Sequence, residues 1–297
     1  MAIRHPGTPV TPLYCLDAFS PKAKDTSFYI AKFRQHLKTH AFISKPHKHD
    51  FYLLLYITSG GGIHTIDFND YAIQPGNFFL MTPGQVHSWK LEPNTDGFII
   101  FFLRNFYHLQ LNPNSLVEFP FFHSLAADPL IRLGDTKVVD FITGRMYAEF
   151  NSTAGVMDVR ILRSYLDLLL LTLARYYPVT KSAAVRHTPG FKLRKLEQLI
   201  EKNFQKLKRP NEYADLMHLA PSYLNNICKK NLGKTLSELI AERVLLEAKR
   251  FFAYSDMTVA EVSGSLNFSS PSYFIRFFKK ATGQTPDQFK ETLNRAI

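Results

Sequence analysis

The sequence predicts an α+β chain of two domains. A small β-barrel with a helical extension precedes an all-α domain built from two helix-turn-helix units. Three observations predict it. Across residues 28–103, short apolar runs alternate with Gly, Pro, Asn and Asp turn signals. Toward the C-terminus, segment 221–235 recurs fifty positions later as 271–285. Between the two regions lies a stretch rich in Pro, Thr, Ser and Ala, residues 178–190, which reads as a linker. The boundaries are therefore 1–177, 178–190 and 191–297, and a length of 297 residues fits two domains.

In chain order, residues 1–25, with their Pro, Thr and Lys, are expected to form a loose arm. Strands are predicted at 28–33, 51–58, 63–68, 71–73, 78–82, 86–90 and 98–103. Turns are predicted at Ser59-Gly60-Gly61-Gly62, Asn69-Asp70, Gln74-Pro75-Gly76-Asn77 and Pro83-Gly84. Many short strands with regular turns make a sandwich or a small barrel. Closed barrels hold ligands in their mouths, so Tyr52, Tyr56, His64, His87 and Trp89 are candidates to line a small-molecule pocket. Strand alternation turns about half of such residues outward. Beyond Asn112 the chain is irregular through Phe119-Pro120-Phe121-Phe122, and helices follow at 135–151 and 156–177. The second helix carries Ile161, Leu162, Tyr165, Leu166, Leu168, Leu169, Leu170, Leu171 and Leu173, apolar around more than one face. Such a helix needs two partners, the second being either the same helix of another subunit or more of this chain.

Phe191, Leu193, Leu196, Leu199, Ile200 and Phe204 open the helical domain. In the repeat, Pro-Ser-Tyr, Lys-Lys, Gly and Thr recur without a gap. Pro at the first helical position removes an N–H that has no partner there anyway. Leu224, Ile227 and Cys228, and Phe274, Phe277 and Phe278, have the i, i+3, i+4 spacing of a buried stripe. Gly233 and Gly283 end the two helices. The opposite face shows Ser222, Asn225, Asn226 and Lys229 in one copy and Ser272, Ile275, Arg276 and Lys279 in the other. A shorter helix and a tight turn precede each copy: residues 211–218 for the first, and the capping box Thr258-Val259-Ala260-Glu261 with Asn267 at the turn for the second. Helix, tight turn, then a helix with polar and basic residues outward is a helix-turn-helix. Thr235-Leu236-Ser237-Glu238 opens a long helix between the units, with Leu239, Ile240, Val244, Leu245, Ala248 and Phe252 along it.

The net charge of +11 is uneven. Residues 191–297 hold 18 basic and 11 acidic side chains, against 18 and 14 in residues 1–190, which fits a polyanionic partner for the C-terminal part. Cys15 and Cys228 are the only cysteines, which excludes a disulfide framework or a Cys-x-x-Cys metal pair. No apolar signal core opens the chain, and the greasiest run, 165–177, is broken by Asp167 and Arg175 and is too short for a bilayer. The expectation is a cytoplasmic protein with no membrane partner. No nucleophile–base constellation or phosphate loop occurs, so no catalytic residue and no cofactor is expected.

On these residues the C-terminal segment resembles the DNA-binding domain of the AraC/XylS family of bacterial transcription regulators. The hallmarks stand here as Arg243, Ala248-Lys249-Arg250, Leu266-Asn267-Phe268, Ser272-Tyr273-Phe274, Arg276-Phe277-Phe278-Lys279-Lys280, Gly283 and Thr285-Pro286, over about 85 residues. The segment departs from the pattern at Ala220, where a Ser or Thr cap is usual (a cost of about 1 kcal/mol), at Asn267 in place of a turn Gly, and at the weak helical pair Ser263-Gly264. The order His47-Lys48-His49, a glycine turn, Pro75-Gly76-Asn77, then Pro83-Gly84-Gln85-Val86-His87 resembles the cupin-type sensor domain in front of many such regulators, over residues 28–105.

The resemblance implies double-stranded DNA as a partner, a small-molecule effector in the barrel, a homodimer, and RNA polymerase as a further partner if the protein is an activator, as the family leans. Ser222, Asn225, Asn226, Ser272, Ile275 and Arg276 are then the candidates for base contacts, since Asn suits adenine and Arg suits guanine. Lys229, Lys230, Lys279 and Lys280 are the candidates for phosphates; cations near a helix C-terminus are also favoured without DNA. Metal-binding cupin enzymes carry histidines at the places of His47, His49 and His87, together with a Glu whose place falls here near Leu53-Leu54, both apolar. Three imidazoles alone can bind zinc. Sensor cupins of this family, however, commonly keep such histidines without a metal, so none is expected, and these side chains should hydrogen-bond near the barrel mouth or face solvent. Two other classes compete: a metal-dependent cupin enzyme, which elemental analysis would reveal, and an effector-independent DNA binder, which competition with random DNA would reveal.

Overall fold

The computed structural model describes residues 12–19, 27–108, 116, 119–122, 127–152, 158–177 and 189–295. They fall into two compact units, one on each side of residue 178.

The front unit has two five-stranded sheets. The first runs β1 (Leu13–Tyr14), β3 (His47–His49), β8 (Val86–Leu91), β5 (Gly62–Ile66), β6 (Asn69–Ile73). The second runs β10 (Leu130–Arg132), β7 (Asn77–Met81), β4 (Tyr52–Ser59), β9 (Asp96–Phe102), β2 (Phe28–Lys32). Every pairing is antiparallel except β1 with β3. The second sheet is buried on both faces. Leu53, Leu55, Ile57, Phe79, Met81, Ile99 and Phe101 pack with Ile66 and Ile73 of the first sheet. On the other face, Leu54, Tyr56, Phe78, Leu80, Phe98, Ile100 and Phe102 pack under the helices α3 (Lys137–Phe150) and α4 (Val159–Tyr176). A strand covered on both sides reads as an unbroken apolar run, which is why 53–57 lacks polar alternation. Asp167, one of the charges that interrupt the apolar run of α4, accepts a hydrogen bond from the Tyr107 hydroxyl.

Several expectations are corrected. The arm is anchored in part: Leu16 and Phe19 are buried in the core between the sheets, and Tyr14 lies in β1; residues 1–11 and 20–26 lie outside the described residues. Phe33 ends no strand but opens a helix, α1 (Phe33–Thr39), whose buried residues Phe33 and His36 share one face at i, i+3. The hairpin between β5 and β6 turns at Asp67-Phe68, not at Asn69-Asp70. Both turn residues have positive φ, 45° and 71°, the pattern of a two-residue type I′ turn. The Asp67 carboxylate is spent on the neighbouring strand, where it accepts the Val86 N–H at 3.1 Å and the Gln85 amide at 3.2 Å. Of the linker, 178–188 lies outside the described residues, while Pro189 and Gly190 open a helix.

The C-terminal unit is all helical: α5 (Pro189–Asn203), α6 (Pro210–Met217), α7 (Pro221–Leu232), α8 (Leu236–Tyr254), α9 (Val259–Ser265), α10 (Pro271–Thr282) and α11 (Pro286–Arg295). The long helix α8, 19 residues, packs against all six others. Its N-terminus is a capping box, with Thr235 taking the Glu238 N–H and Glu238 taking the Thr235 N–H. The turns before α7 and α10 place His218 (φ 53°) and Asn267 (φ 54°) in the left-handed region, where an Asn is tolerated better than most residues. Ala220 gives no side-chain cap to α7, whereas Ser270 accepts the Tyr273 N–H at α10.

Candidate functional site

Two surfaces of different chemistry stand out. The first is formed by the outward faces of α7 and α10. Leu224 and Cys228, and Phe274 and Phe278, are buried, while Phe277 is half-buried, so the apolar stripe seats each helix on one side. Ser222, Asn226, Lys229 and Lys230 are exposed on α7, and Ser272, Arg276, Lys279 and Lys280 on α10. Gly233 (φ 68°) and Gly283 (φ 80°) stop the two helices in the left-handed conformation that a glycine supplies cheaply. Tyr223 and Tyr273, which the sequence reading left out of the surface set, are also exposed, at 45% and 51%. Their signal lay in the repeated Pro-Ser-Tyr. Lys192 of α5 donates to the Tyr223 hydroxyl at 2.9 Å.

Asn225 is corrected. It is half-buried, and its Oδ1 accepts the N–H of Leu236, the first residue of α8, at 3.1 Å. That amide belongs to the first helical turn and has no intrahelical partner, so Asn225 completes the N-terminus of α8. The repeat explains the residue fifty positions on. The counterpart of Leu236 is Pro286, which has no N–H, and the counterpart of Asn225 is the half-buried Ile275. Where no amide needs an acceptor, an apolar side chain suffices. Asn225 therefore holds the joint between α7 and α8.

The frame is tied by charge. Arg243 of α8 is 5% exposed and grips Glu201 of α5 with two bonds, 2.6 and 2.8 Å. It also reaches Glu247 at 2.9 Å and lies 3.8 Å over the Phe204 ring. Glu247 in turn meets Arg250 at 3.2 Å. Arg243 thus ties α5 to α8, and Arg250 joins it through Glu247 within α8.

The second surface is internal. His47, His49, His64 and His87, on β3, β5 and β8 of the first sheet, are all at most 3% exposed, so none faces solvent. His49 Nε2 lies 2.9 Å from His87 Nε2, and His64 Nε2 lies 3.0 Å from His87 Nδ1. His47 Nδ1 lies 2.7 Å from the Lys45 carbonyl and must donate to it. Trp89 packs its edge on His47 and His87. Of the five pocket candidates, His64, His87 and Trp89 therefore come together. Tyr52 and Tyr56 do not: they lie on the other face of the second sheet, Tyr52 stacked on Phe102 and Tyr56 donating to Asp140 of α3 at 2.5 Å. Parity separates them from the interior, since Leu53 and Leu55 take the inward places.

Burial keeps these rings neutral. It pushes His47 down to about 4 and His64 to about 3, and holds His49 and His87 well below the ordinary range. A second buried pair, missed in the sequence, sits on α1 and just after it. His36 is pushed down to about 3 and bonds the Tyr29 hydroxyl at 2.9 Å, and His40 is lowered by its own burial.

Comparison with known proteins matches both parts. Residues 213–292 match a family model described as a helix-turn-helix domain, and residues 27–103 match one described as an AraC-like ligand binding domain. The chain is 22% identical over 273 residues to the uncharacterized HTH-type transcriptional regulator YfiF of Bacillus subtilis, covering 90% of this chain and 84% of that one. It is 22% identical over 253 residues to the HTH-type transcriptional activator RhaR of Escherichia coli, covering 82% and 86%. A crystal structure of ToxT from Vibrio cholerae with a bound unsaturated fatty acid overlaps 91% of this chain and 96% of its own at 13% identity and a TM-score of 0.43, too loose a likeness to bear on function.

Proposed function

The chain belongs to the AraC family of transcription regulators, and from that premise we propose that it reads a specific DNA site with α7 and α10 under the control of a small molecule held in the front unit. One observation carries the reading. Two copies of one helical frame each leave an outward face whose polar and cationic side chains are exposed, with Asn226 on one and Arg276 on the other. Asn226 reads adenine, Arg276 reads guanine bidentately, and Ser222 and Ser272 assist at base edges. Lys229, Lys230, Lys279 and Lys280 hold phosphates. Helix α8 spaces the two units; 19 residues span about 28 Å, and successive major grooves on one face lie about 34 Å apart. The effector acts by binding one arrangement of the protein better than another.

In this reading the protein is a cytoplasmic regulator without catalysis. No helix among the described residues is long and apolar enough to cross a membrane. It works as a dimer: Ile161, Leu168 and Leu171 of α4 and Val138 and Phe141 of α3 are exposed at 41–64%, an apolar stripe that a second copy would cover. RNA polymerase is a partner if the protein is an activator, as its relative RhaR is.

Selection of full-length protein on random duplex DNA tests the core of the proposal. Enrichment of a bipartite site with its halves one turn apart is expected. Retention of all sequences alike would leave only a non-specific DNA binder.

A further inference from the structure

We propose that Lys208 is a strut between the two helix-turn-helix units, a positioning residue that fixes the spacing at which α7 and α10 engage their half-sites. In sequence the two units are joined through α8 alone. Lys208 adds a direct link, from the segment between α5 and α6 to the turn between α9 and α10. Its Nζ lies 5.0 Å from the centroid of the Phe268 ring and donates to the Asn267 carbonyl at 3.5 Å, and also to the Gln205 carbonyl of its own unit at 2.9 Å.

Both ends of the link are held. On one side, Glu212 of α6 accepts the Lys208 N–H at 2.9 Å and the Arg209 N–H at 2.7 Å, and the Tyr213 hydroxyl donates to the Leu207 carbonyl at 2.9 Å. Lys208 is half-buried, and burial lowers its pKa, as for any ammonium drawn partly out of water. On the other side, the Phe268 ring centroid lies 5.1–5.7 Å from those of Tyr273, Phe274 and Phe277, so this ring is the footing of α10.

The repeat shows that this place in a unit does not itself demand a cation. Lys208 and Met257 each stand just before the N-cap of the shorter helix, Arg209 in one unit and Thr258 in the other. Met257 is buried, so the scaffold accepts an apolar side chain there. The partner is equally one-sided. Phe268 corresponds to Leu219, since each N–H bonds the carbonyl five residues back, Ser263 and Ala214 respectively. Leucine has no ring face to offer a cation. Cation and ring thus occur only in the copies where they meet. The consequence for DNA rests on the reading of the preceding section: two readers on a rigid mount accept half-sites at one spacing, whereas a mount that bends accepts several.

The experiment uses full-length protein and the selected duplex with one base pair added or removed between its halves. Wild type should lose affinity on both altered duplexes. Lys208→Met, which carries the side chain found at that place in the second unit, should shrink this loss about 2- to 5-fold, the size of one exposed cation–π contact, with base preference within each half unchanged. Lys208→Arg should restore the wild-type loss, since a guanidinium also stacks on a ring and donates to a carbonyl. A second readout needs no DNA. Spin labels at Ser222→Cys and Ser272→Cys, both exposed, are placed in a Cys15→Ser background, where the remaining Cys228 is buried. Diluted with unlabelled protein, this chain should give one narrow distance distribution that Lys208→Met broadens or shifts. An unchanged spacing penalty or an unchanged label distance in Lys208→Met overturns the proposal. So does an equal loss of affinity at every spacing, the behaviour of a phosphate contact. A label distance that responds in a chain with no DNA preference would leave the strut standing and remove the regulator.

Discussion

Asn225 and Asn226 are neighbours of identical chemistry, one bonded at a helix joint and one exposed on the face proposed to read DNA, and substituting each by Ala tests the separation. Asn225 lends its Oδ1 to the first amide of α8 at 3.1 Å. Asn225→Ala leaves that N–H without an acceptor while Thr235 and Glu238 still serve the rest of the cap. Loss of one N-terminal partner costs about 1 kcal/mol, within a range of 0.5–2. For a unit of roughly 100 residues that lowers the melting midpoint by about 4–8 °C. Asn226 is exposed and no hydrogen bond of the fold is assigned to its side chain, so Asn226→Ala should move stability by less than about 0.5 kcal/mol. It should instead cost about 1–3 kcal/mol of discrimination at one base pair, a factor of about 5–150. The assay pairs thermal unfolding by far-ultraviolet circular dichroism with competition binding across single-base variants of the selected site. The reasoning is refuted if Asn225→Ala relaxes base preference at unchanged stability, or if Asn226→Ala lowers the melting midpoint and leaves preference alone.

Three other outcomes are expected. Arg276→Ala should relax preference at one base of the other half-site, whereas Lys279→Ala should weaken all sequences alike and reduce the slope of log affinity against log salt by about 0.9; an unaltered slope contradicts the phosphate role. Arg243→Met removes the bond to Glu247 at 2.9 Å and both bonds to Glu201, and breaking such a buried pair costs about 3 kcal/mol or more. The helical unfolding transition and DNA binding should then fail at lower temperature, while the fluorescence of Trp89, the single tryptophan, reports an unmoved front unit; a shifted Trp89 transition counts against that assignment. His36 titrates near 6.5 when unfolded and near 3 when folded, so its contribution is complete above about pH 6.5 and is lost as pH falls toward 3, at about 1.4 kcal/mol per pH unit. His36→Gln should flatten the fall of the front unit's urea midpoint between pH 7 and 5 relative to wild type, read by Trp89, and an identical fall would place the titrating group elsewhere.

What was legible in the sequence was periodicity. The repeat places α7 and α10 with their caps, and the capping boxes place the starts of α8 and α9. The runs 51–58 and 98–103 are close to β4 and β9. What was not legible depended on which of two buried faces a residue takes. Residues 52–57 are apolar or aromatic throughout, so alternation assigns parity without saying which parity meets the other sheet and which meets the helices. Tyr52 and Tyr56 landed under α3 and α4 for that reason. The turn at Asp67-Phe68 was hidden because an aromatic at φ 71° goes against residue preference and is held by bonds from Asp67 to a strand nineteen positions away.

Asn225 is the more instructive case, because its signal was present and pointed elsewhere. Comparing the repeats position by position, three of the residues kept in both copies are frame: Pro starts the helix, Gly stops it, and Thr opens the next one. Positions that change together across two places are also frame. Asn225 with Leu236 becomes Ile275 with Pro286, an acceptor and its donor exchanged for two groups that need neither. Asn226 and Arg276 change with no compensating change in a residue bonded to them, and both are exposed. A polar side chain that differs between two copies of one scaffold is not needed by the scaffold, which leaves it available for an outside partner. If Asn226 and Arg276 read bases as proposed, the two copies carry different readers on one frame, so a single chain should contact two unlike half-sites, and any symmetry in the operator must come from a second subunit.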